Sequence, residues 1–274
     1  MKIGIQLPEV EREYLWPEVR EIAKAAEDVG FDSLWIGDHL LYRDEHGVRG
    51  PFEAWTSLAA VAEATERVQL GPLVAATSFH NPAMIAKMAV TVDAISDGRL
   101  ILGLGAGWNK TEYDAFGFPY DRRVARFEEA FTIIRTLLAE GAIDFEGEFY
   151  QLREMELVPK ARPGLPILIG SNGPRMLSIA APHVAMWNTW HASYGNMPEG
   201  LENLMGLVAE AERSAGRQPG EIERSAAVLV QLEGGIGRRS GTERPVSVPI
   251  TGDEAGIAAA LLRFERLGVE HLQF

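Results

Sequence analysis

The stretch LILGLGAGWN, residues 100–109, sets glycines at 103, 105 and 107 directly behind an apolar run. A glycine-rich turn between a strand and a helix can bring backbone N–H groups close to a pyrophosphate, so a dinucleotide-binding loop is the first reading. The spacing rejects it. That fingerprint needs its last glycine three positions after the second, where this chain has Trp108, and an indole would fill the space that a helix-packing glycine leaves open. The fingerprint also belongs to the first strand of its domain, whereas much of the chain precedes residue 100.

Outward from this stretch, short apolar runs alternate with amphipathic ones, the pattern of parallel strands joined by helical crossovers. Eight strands are expected, at residues 3–7, 33–37, 68–75, 99–105, 166–170, 184–190, 226–232 and 269–274. Between them, WPEVREIAKAAEDVG (16–30) has a proline near its start and a glycine after its end, and NPAMIAKMAVTVDAISDG (81–98) opens with an asparagine cap and a proline. Eight such units in 274 residues predict an α/β fold, a (β/α)8 TIM barrel in a single domain over residues 1–274, with its chemistry at the C-terminal ends of the strands. Two insertions are expected: residues 141–165 after the fourth helix, with a hairpin turning at Glu146 and Gly147, and residues 233–252 after the seventh strand, a glycine- and arginine-rich mobile loop on the ligand face. The eighth strand runs to the last residue, so the final helix is expected to be missing, by truncation or because a partner covers the gap.

Composition narrows the partners. With 26 Lys and Arg against 39 Asp and Glu, the net charge of −13 disfavours nucleic acid and anionic membrane surfaces. Zero cysteines exclude disulfides and thiolate chemistry. The start MKIGIQLPEV resembles no signal peptide and no apolar run is long enough to span a membrane, so a cytoplasmic protein is expected. The histidines are scattered without a paired metal motif, and only Lys110 lies near a strand end, so neither a metal site nor a Schiff base is expected.

At the strand ends, GDHL places Asp38 and His39 after the second strand. The histidine can move a proton near neutral pH with the carboxylate orienting it, or the aspartate simply caps a turn. The third strand offers only small groups such as Ala75 and Ala76, with His80 read as a structural cap or pairing residue before Asn81. After the fifth strand, Gly170, Ser171, Asn172 and Gly173 run into Pro174 and Arg175, which suits an anion or an ordinary helix cap. Trp187, Asn188, Trp190 and His191 close the sixth strand, where an aromatic can stack on a conjugated ring or fill a core.

Together GDHL, GLGAGWNKTEYDAFGFP, ILIGSNGP and MWNTW resemble the luciferase-like monooxygenase superfamily of flavin- and deazaflavin-dependent oxidoreductases, and most of all its actinobacterial F420 branch. The resemblance implies a TIM barrel with an isoalloxazine-like ring in its mouth and hydride transfer between coenzyme F420 and a small organic substrate. It implies His39 as proton donor or acceptor with Asp38 beside it, and a non-prolyl cis peptide at Leu73 and Val74 bracing the ring together with Ala75. Ring or chain contacts are implied at Gly107, Trp108 and Asn109, to which Trp190 is added as an aromatic able to stack on the cofactor, and a phosphate cradle at Gly170, Ser171, Asn172 and Gly173 with Arg175 added. The alternatives are an FMN-dependent monooxygenase using reduced flavin and O2, fed by a flavin or F420 reductase, and a non-catalytic flavin- or ligand-binding relative. A homodimer is also implied. The chain departs from the pattern at Ala185, where many relatives carry an acid, and at APHV, which replaces a tyrosine-containing stretch.

Overall fold

The computed structural model describes residues 1–44, 47–235 and 247–274. In chain order the elements are β1 (Lys2–Gln6), α1 (Trp16–Asp28), β2 (Ser33–Ile36), the short pair β3 (Tyr42–Asp44) and β4 (Gly47–Arg49), α2 (Ala54–Ala64), β5 (Gln69–Pro72), β6 (Ala75–Ala76), α3 (Pro82–Ile95) and β7 (Leu102–Gly105). Then come α4 (Lys110–Phe116), α5 (Arg123–Glu140), the hairpin β8 (Ala142–Glu146) and β9 (Gln151–Glu156), β10 (Ile167–Gly170), α6 (Pro174–Ala180), β11 (Met186–Thr189), α7 (Pro198–Ser214), β12 (Glu223–Ala227), α8 (Glu254–Leu267) and β13 (His271–Gln273).

The parallel sheet runs β5-β2-β1-β13-β12-β11-β10-β7-β6. Its two end segments, β5 and β6, are halves of one strand, interrupted at Leu73–Val74, whose peptide is cis. Both halves lie against the fourth barrel strand: Leu70 N–H donates to Arg99 O (3.1 Å), Ile101 N–H to Leu70 O (2.9 Å), and Ala75 and Ala76 pair with Leu104 and Gly105. The ring therefore closes as a barrel of eight strands, one of them split, and the expected TIM-barrel architecture holds.

Barrel strands are continuous apolar runs because both faces are covered, one by the interior and one by helices. Every residue of β2 and of β7 is buried. The helices bury single stripes, as α1 does with Val19, Ala23 and Ala26 at helical spacing. Asn81 caps α3, accepting from Ala83 N–H at 2.9 Å, with Pro82 at the first helical position.

The seventh strand departs from expectation. Periodicity points to residues 226–232, yet β12 covers Glu223–Ala227. Its polar start is satisfied only in three dimensions: Arg224 forms a buried pair with Glu212 of α7 (2.6 Å), and Ser225 Oγ donates to Trp187 O (2.9 Å). Val228 N–H still donates to Gln273 O (2.8 Å), and past it the chain turns away, with Val230 bridging to Ile250.

The first insertion forms its hairpin, but the turn lies later than the expected Glu146 and Gly147: Glu146 still pairs with Gln151, and the turn spans 147–150, closed by Gly147 N–H to Tyr150 O at 2.9 Å. Glu129 of α5 holds the turn by accepting from the N–H groups of Glu148, Phe149 and Tyr150 at 2.7–3.2 Å. Of the second insertion, residues 236–246 lie outside the described residues, so the expected loop on the ligand face is seen only at its ends.

The glycines of the opening stretch are set by this seam. A Cβ at Gly103 would lie 2.1 Å from Pro72 O, and one at Gly105 or Gly170 would lie 2.8 Å from the Val74 methyls. We expect Gly103→Ala to lower stability by about 1–3 kcal/mol, because backbone is slow to yield. Gly206→Ala, on the exposed side of α7 with open space around it, should instead raise stability by up to about 1 kcal/mol. Denaturant unfolding of both variants measures the contrast.

Candidate functional site

A cavity of about 510 Å³ opens at the C-terminal ends of the barrel strands. A hydrogen-bonded polar layer inside the barrel reaches its wall at Asn188. Trp35 Nε1 donates to Ser33 Oγ (2.7 Å), which also meets His271 Nε2 (2.7 Å), and Asn188 Nδ2 donates to Ser225 Oγ and Gln273 Oε1 (3.0 and 2.8 Å). Asn188 thus enters the cavity wall already oriented.

Of the residues singled out from sequence, Asp38, His39, Leu73, Val74, Gly107, Trp108, Gly170, Ser171, Asn172, Gly173 and Trp190 all line this one cavity. Ala75, Asn109 and Arg175 do not. Ala75 is buried in the pairing of β6 with β7. Asn109 is the N-cap of α4, accepting from Thr111 N–H at 3.3 Å and donating to Leu41 O at 3.2 Å. Arg175 reaches out to Glu128 at 2.9 Å.

His39 is clamped. Its Nδ1 lies 3.1 Å from Glu112 Oε1, its ring packs 4.9 Å from Tyr42, and Trp108 meets it edge-on at 5.5 Å. Glu112 is itself buried and accepts from Leu40 N–H (2.6 Å) and Leu41 N–H (3.3 Å), so its position is set by the same turn that carries the histidine. Burial opposes a charge on His39, but Glu112, Glu9 and Asp38 outweigh it and hold the imidazole pKa above its ordinary value.

The carboxylate paired with His39 is therefore Glu112, and Asp38 makes a different contact. Asp38 Oδ2 accepts from Ala76 N–H at 2.8 Å, tying the second strand to the third, while Oδ1 is buried without a partner. Burial pushes the Asp38 carboxyl from 3.8 up to about 7, against the Ala76 hydrogen bond. Behind it, Asp38, Glu53 and His80 bring ligand-type atoms within 4.8 Å of one another, the one such group among the described residues. His80 does not cap α3, a role filled by Asn81; burial lowers its pKa.

Glu112 escaped the sequence reading because it stands three residues after the cap Asn109, the spacing of a capping box, and would pass for a helix-start acid. Glu9 and Tyr42 were equally illegible: Tyr42 OH donates to Glu9 Oε2 at 3.3 Å and both line the cavity. At the fifth strand, neither Ser171 nor Asn172 caps α6, whose N-cap is Gly173 with no side-chain partner. Asn172 Nδ2 donates to Thr189 Oγ1 (2.9 Å), leaving Oδ1 buried and unpartnered at the cavity edge. His191 Nδ1 meets Ser247 Oγ at 3.0 Å, which ties the far end of the second insertion to the mouth.

Residues 1–233 match the family described as luciferase-like monooxygenase. The chain is 37% identical over 218 residues to an F420-dependent glucose-6-phosphate dehydrogenase of Amycolatopsis mediterranei, covering 78% of this chain and 64% of that protein. It is 35% identical to a 5,10-methylenetetrahydromethanopterin reductase of Archaeoglobus fulgidus, covering 66% of this chain and 50% of that one. The chain thus spans one half to just under two thirds of these relatives. Among solved structures, an F420-dependent secondary alcohol dehydrogenase in complex with an F420-acetone adduct has the same fold at TM-score 0.84 and 21% identity, covering 99% of this chain and 92% of that one. A monooxygenase from Streptomyces bottropensis matches at TM-score 0.84 and 23% identity, covering 100% and 91%.

Two outcomes follow from the electrostatics. Glu112→Gln keeps an acceptor for Leu40 N–H but removes the charge beside His39, so the His39 titration followed by NMR should move to lower pH. For Asp38, a raised pKa means the folded chain binds the proton more tightly than the unfolded one. That stabilisation is complete below 3.8 and is lost as pH rises through about 7. Asp38→Asn, which cannot ionise, should escape this loss and gain up to about 4 kcal/mol on the parent between pH 4 and pH 7, at about 1.4 kcal/mol per unit. Denaturant unfolding across that range measures it.

Proposed function

The chain belongs to the luciferase-like monooxygenase family, and on that premise we propose that it is an enzyme, an oxidoreductase that moves a hydride between coenzyme F420 and a small organic substrate, acting as one domain. The observation that carries this reading is the clamped His39 at the base of a glycine-walled cavity on the strand ends. The names of the relatives support the cofactor; their substrates differ, being a sugar phosphate, a pterin and a secondary alcohol, so none transfers to this chain.

The residues present suit a flat, hydroxylated, phosphorylated ligand. Gly105, Ala106, Gly107 and Ala76 add little bulk to the wall, leaving a slot beside Leu73 and Val74 for a planar ring. The orphaned Asn172 Oδ1 would accept from a side-chain hydroxyl of the cofactor. Gly170, Ser171 and Gly173 would hold its phosphate through backbone N–H groups and the serine hydroxyl. Bound there, a deazaflavin supplies two-electron hydride chemistry without the oxygen reactivity of a flavin.

The chain's own part is the proton. Glu112 favours the tautomer with the proton on Nδ1, which leaves Nε2 as a lone-pair acceptor. Nε2 would take the proton when a substrate hydroxyl is oxidised and return it when a carbonyl is reduced. Trp108 and Tyr42 hold the ring in place, so the geometry is set before substrate arrives. The same reading carries a homodimer, a reductase as redox partner and a cytoplasmic location. Among the described residues no helix is long and apolar enough to cross a membrane.

Titration with F420 and with FMN, followed by fluorescence, tests the cofactor: F420 should bind and FMN should bind far more weakly. Tight FMN binding without F420 binding would overturn the reading in favour of a flavin monooxygenase. His39→Ala should retain F420 binding while losing about 10²–10⁴ in kcat on any accepted alcohol; unchanged turnover would remove His39 from the mechanism.

A further inference from the structure

The cluster of Asp38, Glu53 and His80 has no part in the proton transfer proposed above. Glu53 and His80 do not line the cavity. They stand at the start of α2 and just before α3, and each offers a ligand-type atom within 4.8 Å of the other and of Asp38.

Two atoms of this cluster are left with nothing to bond. Asp38 is only 3% exposed, its Oδ2 is taken by Ala76 N–H, and its Oδ1 is buried without a partner. His80 Nε2 is likewise buried and unpartnered. Buried polar atoms are nearly always satisfied, so two in one cluster call for a common partner. Glu53 is already held in place, accepting from Trp55 N–H (2.9 Å) and Thr56 N–H (2.7 Å) as the N-cap of α2. Burial keeps the His80 imidazole neutral, with a lone pair to give, while Glu53 and Asp38 set two acids against each other. A divalent cation would supply the missing partner and offset both carboxylates.

We infer that Asp38, Glu53 and His80 form a binding site for a divalent transition-metal ion, best matched by Zn²⁺. Two carboxylates and one imidazole suit Zn²⁺, whereas Mg²⁺ and Ca²⁺ take oxygen ligands. Bonds of about 2.0–2.2 Å in a tetrahedron place ligand atoms about 3.4 Å apart, so the three groups must draw together by up to about 1.5 Å. Glu53 and His80 are half-buried and can make that movement, and the same open side admits the ion and a water as fourth ligand. The N–H donors to Asp38 and Glu53 are the outer contacts that orient such ligands. The ion ties the turn after β2, the start of α2 and the loop after β6 together behind His39. Its role is structural and does not depend on which cofactor fills the cavity. No metal motif announces it in the sequence, because its ligands come from three separate segments.

The test is calorimetric titration of the full chain, stripped with a chelator, using Zn²⁺ and separately Mg²⁺. One Zn²⁺ per chain should bind with Kd below about 10 μM, with Mg²⁺ at least tenfold weaker, and the thermal unfolding midpoint should rise with Zn²⁺. His80→Ala and Glu53→Gln should each weaken Zn²⁺ binding about tenfold or more, while His183→Ala, at an exposed histidine, should leave it unchanged. No Zn²⁺ binding, equal binding of Mg²⁺, or Zn²⁺ binding that survives in both site variants overturns the site. In the first case an internal hydrogen bond from a protonated Asp38 satisfies the cluster instead. Should either variant fail to fold, Co²⁺ titration of the unaltered chain decides. Intense visible absorption bands, displaced by Zn²⁺, are expected of a site with fewer than six ligands, and the weak spectrum of hydrated Co²⁺ overturns it.

Discussion

The barrel closes where its third strand meets its fourth with almost no side chain between them. A Cβ at Gly71 would lie 2.1 Å from Ile101 O, and one at Gly103 the same distance from Pro72 O. That approach lets Val74 occupy the space bounded by Gly103, Gly105 and Gly170, three glycines from two different strands. The cavity inherits its shape from this seam. A larger residue at any of these positions would push the wall away from the place where a flat ring would rest.

The chemistry of the mouth depends on how buried charge is distributed. Glu9, Asp38 and Glu112 crowd around one histidine, an arrangement that water would screen and that a half-buried site does not. The conflict is relieved in two ways. Glu112 shares its charge with two backbone N–H groups and the imidazole, whereas Asp38, with one oxygen unpartnered, is held near neutrality by burial. Two adjacent residues in the chain thus follow opposite logic: one holds a proton more tightly because acids surround it, the other because solvent does not reach it.

Further out the balance of charge reverses. The deep end of the cavity gathers acids beside His39, while a groove beyond the loop Gly170–Gly173 gathers arginines on α5 and α6. The loop between them, Gly170–Gly173, is short and glycine-rich.

Much of the fold was legible because barrel strands, buried on both faces, announce themselves as apolar runs, and because the Asn81 cap and the presence of a hairpin in the first insertion, though not the place of its turn, use local signals. The cavity residues near strand ends, from His39 to Trp190, were legible for the same reason: their place follows from the count of strands. The start of β12 was not, since Glu223, Arg224 and Ser225 become strand residues only when Glu212 and Trp187 supply partners from elsewhere. Nor was the carboxylate on His39. Asp38 is its neighbour in the chain, but a strand end sends successive side chains in different directions, and Asp38 was claimed by Ala76 N–H. Sequence by itself determined which segments form the barrel and which loops reach its mouth, because those depend on local periodicity. Only tertiary structure decided that Glu112, 73 residues away, meets His39, because that contact requires the loops after the second and fourth strands, on either side of the third, to be brought together by the closure of the ring.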